Sequence, residues 1–384
     1  MSSQTPILIQ LVSSRLWGDI ESYTLDISRY FRNLGWDVDI FTRDIRAIDS
    51  VFAHAGLKVR HAPLSGYFDF STVIPLQRFL RKYRNQPIVI HTHHYRDAFT
   101  ALLARKLARL QPSQVKVVCT AHKCRPAREG RLMRRIYRNL DSLIFVSDLA
   151  KRRFLSKWKE GAQPFPLSSI STLTPSLDIS DYPDYTPPSE KGPFNLLYMG
   201  RLSPEKGIEN LIGAMRFLKG KRIRLVIAGT GYADYIDSLQ QLAVIKEVNT
   251  LIDWKGPNFS RQDIIRECHA GICVSPIEEP FSLFSLELMA MGRTQIIPPT
   301  GSFDEFLTPY DKYPIEKADS IQLKNLDEET IAGACEYLGG NRELCSQMGK
   351  RARENFLSRP SAVETMECLR KIYTGNSYPE KNVL

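Results

Sequence analysis

Long apolar runs are absent from this sequence of 384 residues. A helix that spans a bilayer needs about 20 consecutive apolar residues, and no such stretch occurs, so we predict no transmembrane helix. The start, Met1 to Pro6, also lacks the basic residues and the long apolar run of a signal peptide. Ile7–Val12 is too short to supply that run. The cytoplasm is therefore the expected compartment.

Cysteines in a disulfide or metal-binding pattern are scarce as well. The seven cysteines are odd in number and scattered along the chain, which in a cytoplasmic protein favours free thiols. The spacing of Cys119 and Cys124, and that of Cys268 and Cys273, is similar to the spacing of zinc ligands. Structural zinc sites usually combine two such pairs, however, and both pairs lie in or beside apolar, strand-like runs. We therefore predict no metal site.

The charge is unevenly distributed between the two halves of the chain. Residues 1–180 carry 28 Lys and Arg against 14 Asp and Glu, whereas residues 181–384 carry 24 against 28. A basic half suits an acidic partner, and nucleic acid and an anionic membrane surface both fit; a merely solvated basic surface is the alternative. Nucleic acid is disfavoured because aromatic stacking platforms and known binding modules are not evident.

Strand-like and helix-like segments alternate along both halves, which predicts parallel sheets covered by helices on both faces. The predicted strands are Ile7–Val12, Asp37–Thr42, Pro87–Thr92, Val115–Thr120, Ser142–Ser147, Phe194–Met199, Arg224–Ala228, Val248–Trp254, Ala270–Ser275 and Thr294–Ile297. Seven prolines in residues 161–193 interrupt the rhythm and mark a boundary. The expected fold class is α/β, with two doubly wound Rossmann-like domains, 1–180 and 181–360, facing a cleft. We expect a final helix within 361–384 to pack back on the first domain.

A basic loop follows the first strand of the second half. It reads Gly200-Arg-Leu-Ser-Pro-Glu-Lys-Gly207 and places Arg201 and Lys206 beyond the carboxyl end of the strand, where ligands of such sheets bind. Arginine offers a planar fork for phosphate oxygens, and lysine offers a compact charge. The pair therefore suits a diphosphate, although an exposed basic turn is the alternative.

Two glutamates bracket the start of a later helix. Glu279 lies between a strand end and a helix that is expected to begin near Ser282, a plausible N-cap. Free amides at such a helix start can receive phosphate or sugar oxygens. Glu287 lies one turn further on, among apolar residues, and needs a partner. A ribose diol is suitable, and a salt bridge to a distant lysine or arginine is the alternative.

The loop after the first strand, Ser13 to Asp19, contains Gly18 near the start of a helix. Its amides are able to approach a phosphate or a sugar, but an ordinary turn glycine explains it as well. No G-x-G-x-x-G is present, so the dinucleotide-binding fingerprint is absent.

These motifs resemble those of the retaining glycosyltransferases of the GT-B fold, the large family-four group. The resemblance covers nearly the whole chain, and it rests on the order and spacing of several modest motifs. They are Trp17–Tyr23, Leu34–Ile40, Val117–His122, Asp141–Ser147, Gly200–Gly207, Ala228–Gly231, Glu279 with Glu287, and Gly301–Glu305.

The resemblance implies an N-terminal acceptor domain and a C-terminal nucleotide-sugar domain. It implies that Arg201 and Lys206 bind the donor diphosphate, that Glu287 holds the ribose, and that the catalytic residues His122 and Glu279 contact the transferred sugar. Net retention without a metal or other cofactor is expected, with a UDP- or GDP-linked sugar as donor. The further donor-binding positions that it implies are Gly18, Gly229, Phe281, Ser282 and Leu283.

The sequence departs from the family in the donor motif. The family often reads Glu-Gly-Phe-Gly where this chain has Glu279-Pro-Phe-Ser282. Pro280 has no backbone donor, and Ser282 adds a side chain where the backbone approaches the sugar. Donor-sugar recognition is therefore expected to be unusual. A binding protein without transferase activity, or a nucleotide-sugar epimerase or hydrolase, remains an alternative.

Basic segments of the first half suit a membrane surface. Members of the family that act on membrane acceptors bind the bilayer through this domain, which implies a glycan or lipid-linked acceptor and peripheral association with the inner face of the cell membrane. Cell-surface polysaccharide, lipopolysaccharide or glycolipid synthesis is the expected setting, and a solvated face over a core stripe is the alternative. The residues assigned to the acceptor or membrane face are Arg81, Lys82, His93, Arg128, Arg131, Arg134 and Arg135.

Overall fold

The structure, a computed structural model, describes residues 5–375 except 160–162, 164, 184, 188 and 257–259. Two of the prolines that mark the predicted boundary, Pro164 and Pro188, lie outside the described residues. The chain divides into two compact units between Pro175 and Ser176, and of the later described residues the N-terminal unit also takes in 364–375.

The N-terminal unit is built on a seven-stranded sheet in which every neighbouring pair is parallel. Its strands are β1 (Ile7–Val12), β2 (Asp37–Thr42), β3 (Lys58–His61), β4 (Ile88–Thr92), β5 (Val115–Ala121), β6 (Ser142–Phe145) and β7 (Ile170–Thr172), in the order β3-β2-β1-β4-β5-β6-β7. Its first six helices are α1 (Asp19–Asn33), α2 (Arg46–His54), α3 (Phe70–Lys82), α4 (Tyr95–Ala108), α5 (Arg131–Asn139) and α6 (Asp148–Leu155).

The central strand β1 shows why this segment forms a buried parallel strand. All six of its residues are buried. Side chains alternate between the two faces of a strand, and accordingly Ile7, Ile9 and Leu11 enter one apolar core, whereas Leu8 and Val12 enter the core on the opposite face. A nearly continuous apolar run is what a strand with two covered faces requires.

The C-terminal unit repeats the design with a six-stranded parallel sheet. Its strands are β8 (Phe194–Met199), β9 (Ile223–Ala228), β10 (Ile252–Lys255), β11 (Ala270–Ile272), β12 (Thr294–Ile297) and β13 (Ser320–Gln322), in the order β10-β9-β8-β11-β12-β13. Its helices are α7 (Ile208–Ala214), α8 (Ala233–Ile245), α9 (Arg261–Glu267), α10 (Leu283–Ala290), α11 (Glu328–Gly340) and α12 (Arg342–Ser358).

The last helix, α13 (Ala362–Thr374), contributes side chains to a core of the N-terminal unit. Leu369 and Tyr373 are buried there, and the Tyr373 ring lies 4.8 Å from that of Phe31 on α1. The Tyr373 hydroxyl is also 2.7 Å from Nδ1 of His91 on β4. The N-terminal unit is thus assembled from two separate stretches of the chain.

The predicted α/β class, with two doubly wound parallel sheets, is confirmed. Four predicted strands, among them Ile7–Val12 and Phe194–Met199, have the bounds that the structure shows. The division falls at Pro175 rather than at residue 180. The reason is that the Leu173 amide donates to the Phe145 carbonyl at 2.8 Å, whereas the Ser176 hydroxyl donates to the Pro360 carbonyl at 2.9 Å.

Candidate functional site

The loop that carries Lys206 is fixed against the neighbouring strand end. It contains a short 3-10 turn, Pro204–Lys206, and ends at Gly207 with φ +69°. A Cβ at Gly207 would lie 2.4 Å from the Val274 carbonyl oxygen, so only glycine permits this approach. The Ser275 hydroxyl also donates to the Glu205 carbonyl at 3.2 Å. The sequence therefore places Lys206 where the β8 and β11 loops meet.

Lys206 and Glu279, two of the predicted site residues, form an ion pair. The Lys206 Nζ lies 2.6 Å from Glu279 Oε1, and the side chains are 26% and 9% exposed. A buried carboxylate is costly unless it has a partner, and Lys206 supplies one. Strands β8 and β11 are neighbours from which the chain proceeds in opposite directions across the sheet. Their carboxyl ends are the position at which doubly wound sheets bind ligands.

The backbone around Glu279 is held by the segment that follows β12. The Ser302 amide donates to the Glu279 carbonyl at 2.9 Å, and the Ser302 hydroxyl donates to the Pro280 carbonyl at 2.8 Å. Phe281 is buried with its ring 6.2 Å from that of Phe306. The Gly301–Glu305 motif therefore positions the glutamate loop, and Phe281 anchors it in the core.

Ser282 is the N-cap of α10, as the sequence predicts. Its hydroxyl accepts a hydrogen bond from the Ser285 amide at 3.2 Å. The first amides of a helix have no acceptor within the helix, so those of Leu283 and Phe284 are available to an anion. The Ser282 side chain thus satisfies the helix and leaves the start of α10 suited to phosphate oxygens.

Glu287 has a partner that the sequence analysis missed. Its carboxylate receives a two-pronged contact from Arg261, with Nε to Oε1 at 2.7 Å and Nη2 to Oε2, and the Tyr182 hydroxyl lies 3.5 Å from Oε1. The salt bridge left open as the alternative to a ribose is therefore present. Arg261 is the first residue of α9, where a cation opposes the helix dipole. This unfavourable position was the signal in the sequence that Arg261 has a carboxylate partner.

Arg201 and Gly229 lie in adjacent loops of the same unit. Arg201 is exposed and directly follows Gly200 at the end of β8. Gly229 has φ +153°, and a Cβ there would lie 1.8 Å from the Gly200 carbonyl oxygen. The missing side chain lets the two loops pair through the Leu202 amide and the Thr230 carbonyl, 2.8 Å apart. The geometry thus brings Arg201 to the same sheet edge as Lys206 and Glu279.

In the N-terminal unit, His122 is partly buried and contacts a buried histidine. It follows β5 directly, and its Nε2 lies 3.1 Å from Nδ1 of His93. The other His93 nitrogen, Nε2, is 3.1 Å from both Gln10 Oε1 and Thr24 Oγ1. The His93 ring is only 3% exposed, and its contact with His122 supports that residue. Its predicted place on the acceptor face stays a prediction.

The hydrogen bonds of this network fix which histidine nitrogens carry protons. Burial lowers the pKa of His122 to about 3 and holds that of His93 well below its usual value, so both rings are neutral. Thr24 donates its hydroxyl proton to the Ile20 carbonyl and must accept from His93 Nε2. His93 Nδ1 then accepts from Nε2–H of His122, which leaves Nδ1 of His122 as that ring's bare nitrogen.

Gly18, a predicted donor-binding residue, is the cap residue that precedes α1.

The residues of the predicted membrane face fall into two groups. On α5, Arg131, Arg134 and Arg135 are exposed, as is Arg128 before it, whereas Met133, Ile136 and Tyr137 are buried in the core and Leu132 is partly buried against it. Arg81 donates to the Leu107 carbonyl at 3.0 Å, and Lys82 lies over the Tyr83 ring at 5.0 Å.

Metal-ligand and membrane features are limited in the described part of the chain. One group of three potential ligands, Asp44, Asp49 and His61, comes together near the end of β2. Its exposed His61 Nε2 lies 3.1 Å from Asp49 Oδ2. Among the residues described, no helix combines the length and apolarity needed to cross a bilayer.

Two family models match the chain. The model for Glycosyltransferase Family 4 matches residues 20–163, and the model for Glycosyl transferases group 1 matches residues 186–355. The first match falls in the N-terminal unit and the second in the C-terminal unit.

Curated relatives match parts of the chain. An uncharacterized glycosyltransferase of Methanocaldococcus jannaschii is 36% identical over 118 residues, 29% of each chain. Lipopolysaccharide 1,2-N-acetylglucosaminetransferase of Salmonella typhimurium is 31% identical over 139 residues, 33% of this chain and 36% of the relative. Glycogen synthase of Mycobacterium tuberculosis is 26% identical over 238 residues, 57% of this chain and 54% of the relative. The chain thus spans about half or less of the length of these relatives.

Solved structures match nearly the whole chain. Anabaena HepE in complex with UDP-glucose superposes with a TM-score of 0.80 at 15% identity, over 96% of this chain and 99% of that one. Sucrose-phosphate synthase from Thermosynechococcus elongatus gives 0.73 at 16% identity, over 97% and 99%. At such identities the likeness shows the fold alone, which is GT-B.

Proposed function

Because the chain belongs to the glycosyltransferases of the GT-B fold, with a family-four and a group 1 domain, we propose that it moves a sugar from a nucleoside diphosphate sugar to a glycan or lipid-linked acceptor. The Lys206–Glu279 ion pair carries the proposal, because it joins a phosphate-binding cation to a buried carboxylate at the sheet edge. HepE, in its complex with UDP-glucose, is a fold neighbour that holds a donor of this class.

The donor diphosphate interacts with the cations and amides of the C-terminal unit. Arg201 and Lys206 offset the charge of the leaving group, and the first amides of α10 receive its oxygens. Such fixed donors stabilise charge as it develops, so these groups together do the work for which a metal would otherwise be needed. Glu287 accepts from the ribose hydroxyls, either beside Arg261 or in exchange for it. UDP and GDP are the favoured nucleotides.

Transfer with retention is part of the proposal, and the same groups support it. The bond between the anomeric carbon and the phosphate oxygen breaks, and an acceptor oxygen bonds to that carbon on the same face. The acceptor proton passes to the departing phosphate oxygen, so no protein nucleophile is required. Glu279 stabilises the positive charge that develops on the sugar. His122, held by His93, presents its bare nitrogen to a sugar hydroxyl.

The decisive experiment separates transfer from binding. The protein is incubated with labelled UDP-, GDP- and ADP-sugars and candidate acceptors, and both nucleotide release and the anomeric form of the product are measured. We expect one donor class to be cleaved only when an acceptor is present, with retention. Release without an acceptor would indicate a hydrolase, and binding without release across all acceptors would indicate a binding protein.

Site variants sharpen this experiment. Arg201→Ala is expected to weaken donor affinity by roughly tenfold or more, because it removes a charge-assisted contact to phosphate. Arg224→Ala is the matched control, since Arg224 is an exposed arginine of β9 in the same unit. Glu279→Gln should retain nucleotide affinity but lose transfer. Equal affinity in the Arg201 and Arg224 variants would contradict the placement of the diphosphate.

A contact with an anionic membrane surface is part of the proposal. The exposed arginines at 128, 131, 134 and 135 support it, since each cation near an anionic leaflet contributes about 1 kcal/mol. The apolar side of α5 lies in the core, so the contact is electrostatic and needs no insertion. Sedimentation with phosphatidylserine vesicles tests it, and binding that persists at high salt would contradict it.

A further inference from the structure

Three arginines follow three neighbouring strands of the N-terminal sheet. Arg15 lies after β1, Arg43 after β2, and Arg96 in the first turn of the helix that follows β4. Since β2, β1 and β4 are adjacent and parallel, their carboxyl ends bring the three residues to one edge. The chain proceeds from β1 to β2 on one side and from β4 to β5 on the other, which makes the edge at β1 and β4 the ligand-binding position of the sheet.

In two of these arginines one nitrogen is hydrogen-bonded and a second, buried nitrogen is not. Arg96 donates from Nη2 to the Ser13 hydroxyl at 3.0 Å, and Arg43 donates from Nη2 to the Leu64 carbonyl at 2.5 Å. Their Nε atoms are both buried, and neither has a hydrogen-bond partner among the described residues. A buried N–H without an acceptor is costly, so each guanidinium retains an unused donor.

Two carboxylates lie near the three arginines. One oxygen of Asp97 accepts from the Ser13 hydroxyl at 2.6 Å, and the other forms an ion pair with Arg96 Nε at 3.6 Å, beyond hydrogen-bond range. Asp69 caps α3 by accepting from the Thr72 amide. Burial, followed by the charges of Arg96 and Arg15, lowers the pKa of Arg43, and the charges of Asp97 and Asp69 offset this only in part. Three cations against two carboxylates leave a net positive charge, which a further anion would neutralise.

The start of α4 adds a further attraction for an anion. This helix of 14 residues begins at Tyr95, and its cap residue, His94, makes no side-chain cap hydrogen bond. Its first amides and its dipole favour negative charge. Arg96 lies within this first turn, so the helix amides and the arginine act at the same place.

We propose that Arg15, Arg43 and Arg96 bind a phosphate group, and that the acceptor of the transferase carries it. Arginine forks match phosphate oxygens in geometry and keep their charge, and three cations suit the dianion of a phosphate monoester. The assignment to the acceptor rests on the proposed function, whereas phosphate binding itself rests on the arginines alone. The acceptor is then a phosphorylated sugar, polyol or lipid headgroup.

Phosphate binding is measured by calorimetric titration of the UDP-saturated protein with inorganic phosphate. We expect one site, with affinity at least tenfold weaker in Arg43→Gln and in Arg96→Gln. Arg29→Gln, an exposed arginine of α1, is the matched control and should bind as the unmodified protein does. Unchanged melting temperature and UDP affinity show that the variants are folded. Equal phosphate affinity in all four proteins would overturn the proposal.

A second titration excludes the donor site as the source of the signal. In Arg201→Ala protein without UDP, phosphate should bind as in the UDP-saturated protein. If UDP abolishes phosphate binding, the three arginines belong to the donor site and the proposal fails. Because neither titration requires turnover, the absence of sugar transfer would count against the proposed function and not against the phosphate site.

Two ligands distinguish the sources of the phosphate. Glycerol 3-phosphate represents a free phosphorylated acceptor, and phosphatidylcholine vesicles with phosphatidic acid represent a lipid one. Whichever source is correct, its binding must weaken in the Arg43→Gln, Arg96→Gln double variant, which leaves the exposed arginines of α5 intact. Binding of both ligands that is insensitive to the double variant would contradict the proposal.

Discussion

Glu279 and Glu287 are buried carboxylates whose partners differ in how far sequence reveals them. Lys206 and Glu279 stand in motifs that are recognisable separately, and their contact follows from the adjacency of β8 and β11. Arg261 lies 26 residues before Glu287, in a segment with no motif of its own. The sequence therefore predicted which residues lie at the donor site. It did not predict the pairing of Arg261 with Glu287, because that contact depends on how α9 packs.

His91 illustrates a second limit of sequence, since its burial is decided by tertiary packing. It is fully buried, with Nε2 2.7 Å from Thr120 Oγ1 and Nδ1 2.7 Å from the Tyr373 hydroxyl. Tyr373 lies 282 residues further along the chain. No local pattern predicts that contact, so the burial of His91 was not predictable from the sequence.

The buried His91 makes stability depend on pH. Desolvation lowers its pKa to about 3, while an unfolded histidine titrates near 6.5. Between these values the unfolded chain binds the extra proton, so the stabilising contribution is complete above about pH 6.5 and declines as the pH falls. From neutral pH to about pH 5, His91 alone should lower the free energy of unfolding by about 2 kcal/mol.

Urea unfolding between pH 5 and pH 8 measures this effect. His91→Gln should flatten the dependence by about one proton, whatever its effect on absolute stability. His54→Gln, at an exposed histidine of α2, should leave the slope unchanged. If the free energy of unfolding depends on pH with the same slope in both variants, His91 does not stay unprotonated in the folded protein.

At the scale of elements, ten strands were predictable from the sequence, whereas β3, β7 and β13 were not. Strands β1 and β8 are apolar on both faces, and their bounds follow from composition. Strand β3, Lys58–His61, has three exposed residues and no apolar run. Helix α3 contains Pro75 within it, a residue that normally ends helices. Burial pattern and local propensity disagree in these two elements, and packing decides.

The N-cap of α10 is the element-scale feature with the sharpest test. Ser282→Ala removes the acceptor for the Ser285 amide and should lower the free energy of unfolding by about 1 kcal/mol. Ser282→Gly, which restores the residue frequent in the family, should cost only a few tenths of a kcal/mol. Urea denaturation of the three proteins compares them. Equal losses in both variants would mean that the hydroxyl does not act as the cap.

At the scale of the molecule, the two parallel sheets and the division near the proline-rich segment were accessible from sequence, because alternation and proline density are long-range features. The position of the division was not. It depends on two hydrogen bonds, Leu173 to Phe145 and Ser176 to Pro360, that tie residues three positions apart to different units. Contacts of this kind have no sequence signature.

Helix α13 belongs to a core of the N-terminal unit but is the last helix to be synthesised. The N-terminal unit needs Leu369 and Tyr373 to cover Phe31, yet the ribosome makes these residues only after Ser176–Val363. At about 5 to 20 residues per second, that interval lasts roughly 10 to 40 seconds. For this time the nascent N-terminal unit displays an uncovered apolar face, which is a natural binding site for a chaperone. Translation that stops before residue 362 leaves that face permanently open.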